Sequence, residues 1–436
     1  MPASEAAVSA WPRDPAPARQ ALVLLLSVNL LNYVDRQVLY ALLPAIQRDL
    51  SLSDAQAGGL ASAFMVVYML AALPIGYLAD RGGRRLWMTA GIGLWSLATA
   101  ASGVARGFFQ LFAARAAVGI GESCYGTISP SFVAEHFPPE RRAFVLAIFS
   151  MAIPVGSALG YVAGGALGQA WGWRNAFYLV GLPGLILMVW SLRLREPPAR
   201  PACATARSAA ASYLELFRVP SYVCVTLAGA AMTFTLGGLA VWMPSFFHRR
   251  WGLSMAEAGT IFGSMTVLAG ALGSLGGGWI ADRALRWTSR SYFWVSGLGY
   301  VAGLPLAAAA FWAPSARLCV AAMFLAEFFL FLNMGPINAV IVSVTKPQAR
   351  SMAFAANILV IHALGDAVSP TLIGLASDRW GLTPALLAAC GALAAAAGFC
   401  FLGLRHYDAD AGRMEMHPAD TCGTSDTAGA GRISHA

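Results

Sequence analysis

The sequence is short of charge. Only 11% of its 436 residues are Asp, Glu, Lys or Arg, where a soluble globular domain carries about 25%. Together with 58% apolar residues, this excludes an ordinary water-soluble fold. Lysine is nearly missing, Lys346 being the only one; arginine carries the basic charge, a usage that fits a GC-rich bacterial genome. The seven cysteines have neither metal-ligand nor disulfide spacing, which leaves no thiolate centre and no oxidised framework. No glycine-rich phosphate loop is present, so nucleotide hydrolysis is excluded as an energy source. His136 and Glu135 have no second histidine at ligand spacing, and no large polar segment could house chemistry. A polytopic membrane enzyme is therefore set aside. The formal net charge of +8 does not point to nucleic acid, because the arginines are spread over short loops and form no single patch.

What the chain does have is apolar runs long enough to span a bilayer. They cover about 21–46, 56–79, 86–105, 107–133, 142–168 and 174–194, then about 220–246, 256–280, 291–312, 316–343, 351–377 and 381–404. The first lacks a small-residue cleavage site and carries polar residues, so it reads as a helix and not a signal peptide. The expected fold is an all-α membrane protein with twelve transmembrane helices. A disordered tail (1–19) precedes a six-helix half (20–194), a polar linker (195–218), a second six-helix half (219–404) and a disordered tail (405–436). With both termini cytoplasmic, the inner loops hold more arginine than the outer ones, as the positive-inside rule requires. The halves resemble repeats: Trp171-Gly172 maps onto Trp380-Gly381, and Gly156 onto Gly365, at one shared offset.

Between the second and third runs lies Gly76-Tyr77-Leu78-Ala79-Asp80-Arg81-Gly82-Gly83-Arg84-Arg85. Hydrocarbon could not hold that cluster, so it is expected as a tight turn at the cytoplasmic surface, with Gly76, Asp80, Arg81, Gly83, Arg84 and Arg85 as a conformational gating loop. Gly278 to Arg283 repeats its Gly-x-x-x-Asp-Arg core, adding Asp282 and Arg283. This pattern resembles the loop signature of the major facilitator superfamily.

Ionisable groups inside the spans cost at least ~2.5 kcal/mol each on insertion scales, so each needs a reason. Helix one carries Asn29, Asn32, Asp35 and Arg36 on one polar half. A local Asp35–Arg36 pair is the plain alternative. Helix four places Arg115, Glu122 and Ser129 at seven-residue steps, with Arg115 and Glu122 roughly 10 Å apart along the axis. That gap calls for something between them: Asp35, water or an anionic substrate. Burial favours a neutral carboxyl and a nearby arginine favours a charged one, so Asp35 and Glu122 are candidate proton switches. Protonating either would release its arginine to hold an anionic headgroup. In the second half, Glu327 and Asn338 are expected on one face of helix ten with Asn333 to one side. His362, Asp366 and Ser369 are expected on one face of helix eleven, although His362–Asp366 could be a purely local pair. Gly156, Gly160 and Gly164 give helix five a smooth face for close packing.

Together these stretches resemble the spinster family within that superfamily. The match rests on Asn29 to Arg36, Gly76 to Arg85, Arg115 to Pro130 including Tyr125, and Ile153 to Tyr161; it is good over about 25–185 and looser beyond. The resemblance implies export of lysophospholipids or similar lipids with proton coupling. It implies Asp35, Arg36, Arg115 and Glu122 as the polar centre; Asp35 and Glu122 are the candidates for the proton, and Asn32, Arg36, Arg115 and Tyr125 for the substrate. Glu327, Asn333, Asn338, His362 and Asp366 would line the cavity opposite. Phe64, Phe149, Phe234, Trp242, Phe328 and Phe329 are candidates for an apolar wall along the acyl chain. The expected activity is a proton-coupled secondary transporter of a lysophospholipid or similar amphipathic anion in the bacterial inner membrane. It would be monomeric, would work by alternating access, and would need no cofactor beyond a proton gradient. The alternative is the same machine carrying small organic anions, such as aromatic or sugar acids, or drugs. A non-transporting sensor of the same fold is a further alternative, made less economical by the charges kept inside the spans.

Overall fold

The computed structural model describes residues 16–137, 139–196, 215–346 and 349–415. Among them there are sixteen helices and no strand. Numbered in chain order, these are α1 (Ala16–Leu50), α2 (Asp54–Asp80), α3 (Arg84–Ser102), α4 (Phe108–Glu135), α5 (Pro139–Ser150), α6 (Ala152–Ser191), α7 (Pro220–Trp251) and α8 (Met255–Ala284). There follow α9 (Ser291–Trp312), α10 (Ala316–Phe331), α11 (Met334–Ser343), α12 (Arg350–Leu364), α13 (Ser369–Trp380), α14 (Leu382–Cys390), α15 (Ala392–Gly403) and α16 (Tyr407–Glu415).

Local chemistry sets the boundaries. Capping boxes, Ser53 with Gln56 and Ser254 with Glu257, start α2 and α8 by satisfying their first free amides. Gly83 and Gly252 take left-handed backbone at helix ends. Gly172 interrupts α6 at φ 82°, ψ 157°. Gly381, its partner in the sequence repeat, opens α14 at φ 88°, ψ 160°. The two matched positions therefore share one backbone conformation.

Several expected single spans are broken. A proline at position i removes the amide that would bond the carbonyl at i−4. Pro154 does this to Ser150, where α5 ends; Pro336 to Leu332, between α10 and α11; and Pro370 to Asp366, between α12 and α13. By length and hydropathy, nine described stretches can cross a membrane; Ile148–Ser191 is one of them, and α3 and α4 fall short of that measure.

The chain runs back and forth between two ends. One, the terminal end, holds the start of α1 together with α16; the other is the far end. α1 packs along α6. The glycine stripe makes this possible: an added Cβ would lie 2.7 Å from Leu30 O at Gly156, 2.6 Å from Val34 O at Gly160 and 2.9 Å from Val38 Cα at Gly164. α4 packs on α2 and α3, α10 and α15 on α9, and α7 on α15. Two seams join the early helices to the late ones, α6 with α8 and α2 with α13. Both are backbone-close near the far end, where a Cβ at Gly165 would meet Met255 O at 2.3 Å and one at Gly58 would meet Pro370 O at 2.1 Å.

The expected polar tail from 405 is corrected in its first part. Residues 407–415 form α16, because Asp410 is buried and accepts from the Ser221 amide at 3.0 Å, capping α7. Asp408 accepts from Ser289 and Arg290 at the start of α9, and Tyr407 packs edge-to-face against Phe293. At the other terminus α1 starts at Ala16, inside the expected tail. Residues 1–15 and 416–436 and most of the linker, 197–214, lie outside the described residues.

Candidate functional site

Asp35 and Arg36 are adjacent on α1 and so point about 100° apart. They do not neutralise each other. Arg36 Nε donates to Glu122 Oε2 at 2.7 Å, and Arg115 Nη1 donates to Asp35 Oδ1 at 3.4 Å. Each neighbour on α1 thus takes one member of the α4 pair. Of the three fillers the spacing allows, Asp35 meets Arg115, and Arg36 meets Glu122. Asp35, Arg115 and Glu122 are buried, whereas Arg36 keeps 16% of its side-chain surface.

That difference decides what the cluster can touch. A cavity of about 1080 Å³ lies between the early and late helices. It reaches from Tyr40 and Pro370, beside the far-end seams, to Leu73 and Phe217 near the terminal end. Of the four charged residues, only Arg36 lines it. Tyr33, Phe64 and Tyr68 hold the guanidinium with ring centroids at 5.0, 4.8 and 5.2 Å, each contact worth about 0.5–2 kcal/mol. Glu122 sits behind Arg36, and its Oε1 has no hydrogen-bond partner among the described residues. A change in the charge of Glu122 therefore reaches the cavity through Arg36.

The other candidates divide. His362 and Asp366 line the cavity from the late helices, joined Nδ1 to Oδ1 at 2.9 Å. They are no longer on one helix face with Ser369, because α12 ends at Leu364 and α13 begins at Ser369. Asn32 is buried beside the cluster, outside the cavity lining. Arg115 also lies outside the lining, which corrects its expected contact with a headgroup: Asp35 occupies it.

Tyr125 is corrected too. It is buried against Trp95 and Phe149, and its hydroxyl donates to Leu25 O at 2.5 Å, tying α4 to α1. Glu327 and Asn338 do not share a face, since the break at 332–333 puts them on separate helices. Glu327 is buried and accepts from Thr266 at 3.3 Å, Asn333 donates to Leu330 O beside the break, and Asn338 is exposed and bonds its own helix at Met334 O. None of the three lines the cavity. Of the proposed aromatic wall only Phe64 does; the Trp242 indole donates to Pro370 O, and Phe149 packs on Tyr125.

The loop after α2 is the expected tight turn, with Gly82 and Gly83 at φ 133° and 74°. Gly76 lets α2 approach Thr127. The Asp80 side chain lies outside the described residues. Arg81 stacks on Tyr77, Arg84 pairs with Glu135 at 2.8 Å, and Arg85 donates to Leu194 O. The loop thus holds the terminal ends of α2, α4 and α6 together. Asp282 and Arg283 are exposed at the end of α8.

Sequence reasoning missed Thr99, which donates to Asp35 Oδ2 at 2.5 Å. A threonine in an apolar run carries no signal of its own. Tyr33, Gln37, Tyr40, Tyr68 and Ser157 also line the cavity. Tyr33, Gln37 and Tyr40 recur on α1 at i, i+4 and i+7 beside Arg36, and that periodicity was the available clue.

Residues 25–370 match the Major Facilitator Superfamily. The chain is similar to protein spinster homolog 1 of Xenopus laevis, 33% identical with 82% of this chain and 72% of that protein covered. It is 34% identical to protein spinster homolog 1 of Homo sapiens, covering 92% and 84%. Among solved structures it is similar to a bacterial homolog of the human lysosomal transporter spinster, crystallised inward-facing and occupied. That likeness has a TM-score of 0.82 at 25% identity, covering 92% of this chain and 99% of the other.

Proposed function

The chain belongs to the spinster family of the Major Facilitator Superfamily, and from that premise we propose that this transporter moves a lysophospholipid or similar amphipathic anion, coupled to protons, by alternating access. The observation that carries the proposal is Arg36. It is a cation facing a cavity of about 1080 Å³ whose remaining wall is largely apolar, with Phe64, Met65, Met69, Leu73, Ile358 and Leu359 along it. An anionic headgroup would pair with the guanidinium while an acyl chain lies on those residues.

Glu122 competes with the headgroup for Arg36. A proton on Glu122 removes the competing charge and frees Arg36 to bind; loss of the proton returns Arg36 to Glu122 and expels the anion. Asp35 pairs with Arg115 behind that exchange, outside the cavity lining, and accepts from Thr99. The far-end seams are shut and the cavity gives onto the terminal end, which the arginines of the α2–α3 loop mark as cytoplasmic. We take this as the inward-open state of a transporter in a bacterial inner membrane, acting as a monomer without a cofactor. We read twelve spans in two six-helix halves, an arrangement supported by dividing Ile148–Ser191 at Gly172 and adding α3 and α4 to the nine apolar stretches.

A second reading, transport of a small organic anion, is favoured by the polar groups around Arg36: Gln37, Tyr40, Tyr68, Ser157 and the His362–Asp366 pair. Flux of a labelled lysophospholipid into proteoliposomes, with and without a pH gradient, separates the two. Gradient-dependent movement supports the lipid reading. No movement by folded protein, with thermal stabilisation by organic acids, supports the small-anion reading.

A further inference from the structure

A second cavity, a groove of about 580 Å³, lies outside the central site, between the far-end halves of α8 and α10. Its origin is in the glycines of α8. Gly259 and Gly263 face α6, where an added Cβ would meet Tyr161 O at 2.3 Å and Tyr161 Cβ at 3.0 Å. Gly273 and Gly277 face the other way, with Cβ positions 2.5 Å from Phe328 O and 1.9 Å from Leu332 O. α8 is thus held to α6 near the far end and to the α10–α11 break near the terminal end. Between those two attachments it leaves the first turns of α10 uncovered.

The groove walls are Ile261, Met265 and Leu268 on α8 and Val320, Phe324 and Leu325 on α10. Leu268 is 57% exposed and Leu325 44% exposed. The Ser264 hydroxyl donates to Thr260 O at 2.6 Å, so it offers its donor to its own helix. The charged residue of the lining is Arg317, exposed in the first turn of α10 at the far end. From Arg317 to Leu325 the groove follows α10 for roughly 12 Å. An apolar slot along the membrane normal, closed at its surface end by one cation, complements a bilayer lipid: acyl chain in the slot, acidic headgroup on the arginine.

We propose that this groove is a binding site for one anionic phospholipid of the far-end leaflet, separate from the central transport site. The test is native mass spectrometry of the full chain released from phosphatidylcholine nanodiscs containing phosphatidylglycerol. Wild-type protein is expected to retain one phosphatidylglycerol in preference to phosphatidylcholine. Arg317→Glu is expected to lower that retention about fivefold, the worth of one interfacial cation. Ala321→Trp, which fills the slot from α10, is expected to abolish it, and Arg379→Glu, an exposed far-end arginine outside the groove, to leave it unchanged. Equal retention of both lipids would overturn the proposal, as would retention insensitive to Ala321→Trp. A change of oligomeric state in the Arg317 and Ala321 variants, with lipid retention unaltered, would assign the groove to a second copy of the chain and overturn it as well.

Discussion

Arg36 occupies the boundary between a sealed polar cluster and an open cavity, and among the described residues its partner Glu122 has no other cation at hydrogen-bond distance. Removing one member of a buried pair costs about 3–5 kcal/mol, because the survivor is left uncompensated. Glu122→Gln and Asp35→Asn keep the shape and an acceptor oxygen, so both variants should insert and fold. Gradient-driven flux should fall at least tenfold in each, measured in proteoliposomes at matched protein content; wild-type flux in both would remove these acids from the coupling step. The four charges were legible in the sequence through their cost in a membrane, and the gap between Arg115 and Glu122 indicated that Asp35, water or an anionic substrate sits between them. The crossed pairing was not legible, since a helical wheel gives directions within α1 and none across to α4. Tyr125 misled for a related reason: a position matched to a family says nothing about which way a ring turns, and this one turns to Leu25.

The breaks in the helices have a cause that is written in the sequence, yet only some prolines act on it. Pro154, Pro336 and Pro370 each fall four residues after an interruption, whereas Pro44, Pro74 and Pro244 lie inside unbroken helices. The difference at Pro336 is its neighbour across the seam. Gly277 allows the Leu332 carbonyl to lean into α8, which a larger residue would forbid. Gly277→Ala should therefore cost about 1–3 kcal/mol through overpacking, seen as a lowered Tm, while Gly278→Ala, with open space around it, should not lower it. Face assignments across α10–α11 and α12–α13 failed because they assumed a continuous helix. A second element-scale expectation concerns α16. The Ser289 hydroxyl and then Arg290 hold the Asp408 carboxyl below its ordinary range. A carboxyl depressed on folding stabilises above its unfolded value and loses that contribution as pH falls through the depressed one. Proteolysis within α16 should rise in that acid window, and Asp408→Asn should show the raised rate already at neutral pH.

The molecule as a whole is shut at one end by contacts between early and late helices. Asp378 accepts from the Asp54 and Ala55 amides at 2.8 and 2.9 Å. Arg249 donates to Asp54 and to Gln47, and Ser377 donates to Asp54. Close backbone contact at Gly58, Gly165, Gly259 and Gly374 leaves no room for relaxation beneath them. Arg249→Ala or Asp378→Ala should move the population toward a state open at the far end. Spin labels at Ser51 and Arg379 should then report longer distances than in the parent protein, and an unchanged distribution would mean that the glycine seams alone hold this end. The spans and the likeness of the two halves could be read from hydropathy and repeats. Which end is shut could not, because it depends on contacts between residues distant in the chain, such as Asp54 with Arg249, 195 positions on, and with Asp378, 324 positions on.

The two acids and two arginines of the central cluster cancel. With one proton taken up for each singly charged headgroup, the loaded protein carries the same charge as the empty one when it reorients. Under the proposed coupling, membrane voltage, worth about 2.3 kcal/mol per charge per 100 mV, would do no net work on the cycle, and the pH difference alone would be the fuel. A headgroup with two negative charges would break that balance, and its movement would appear as an electrical current.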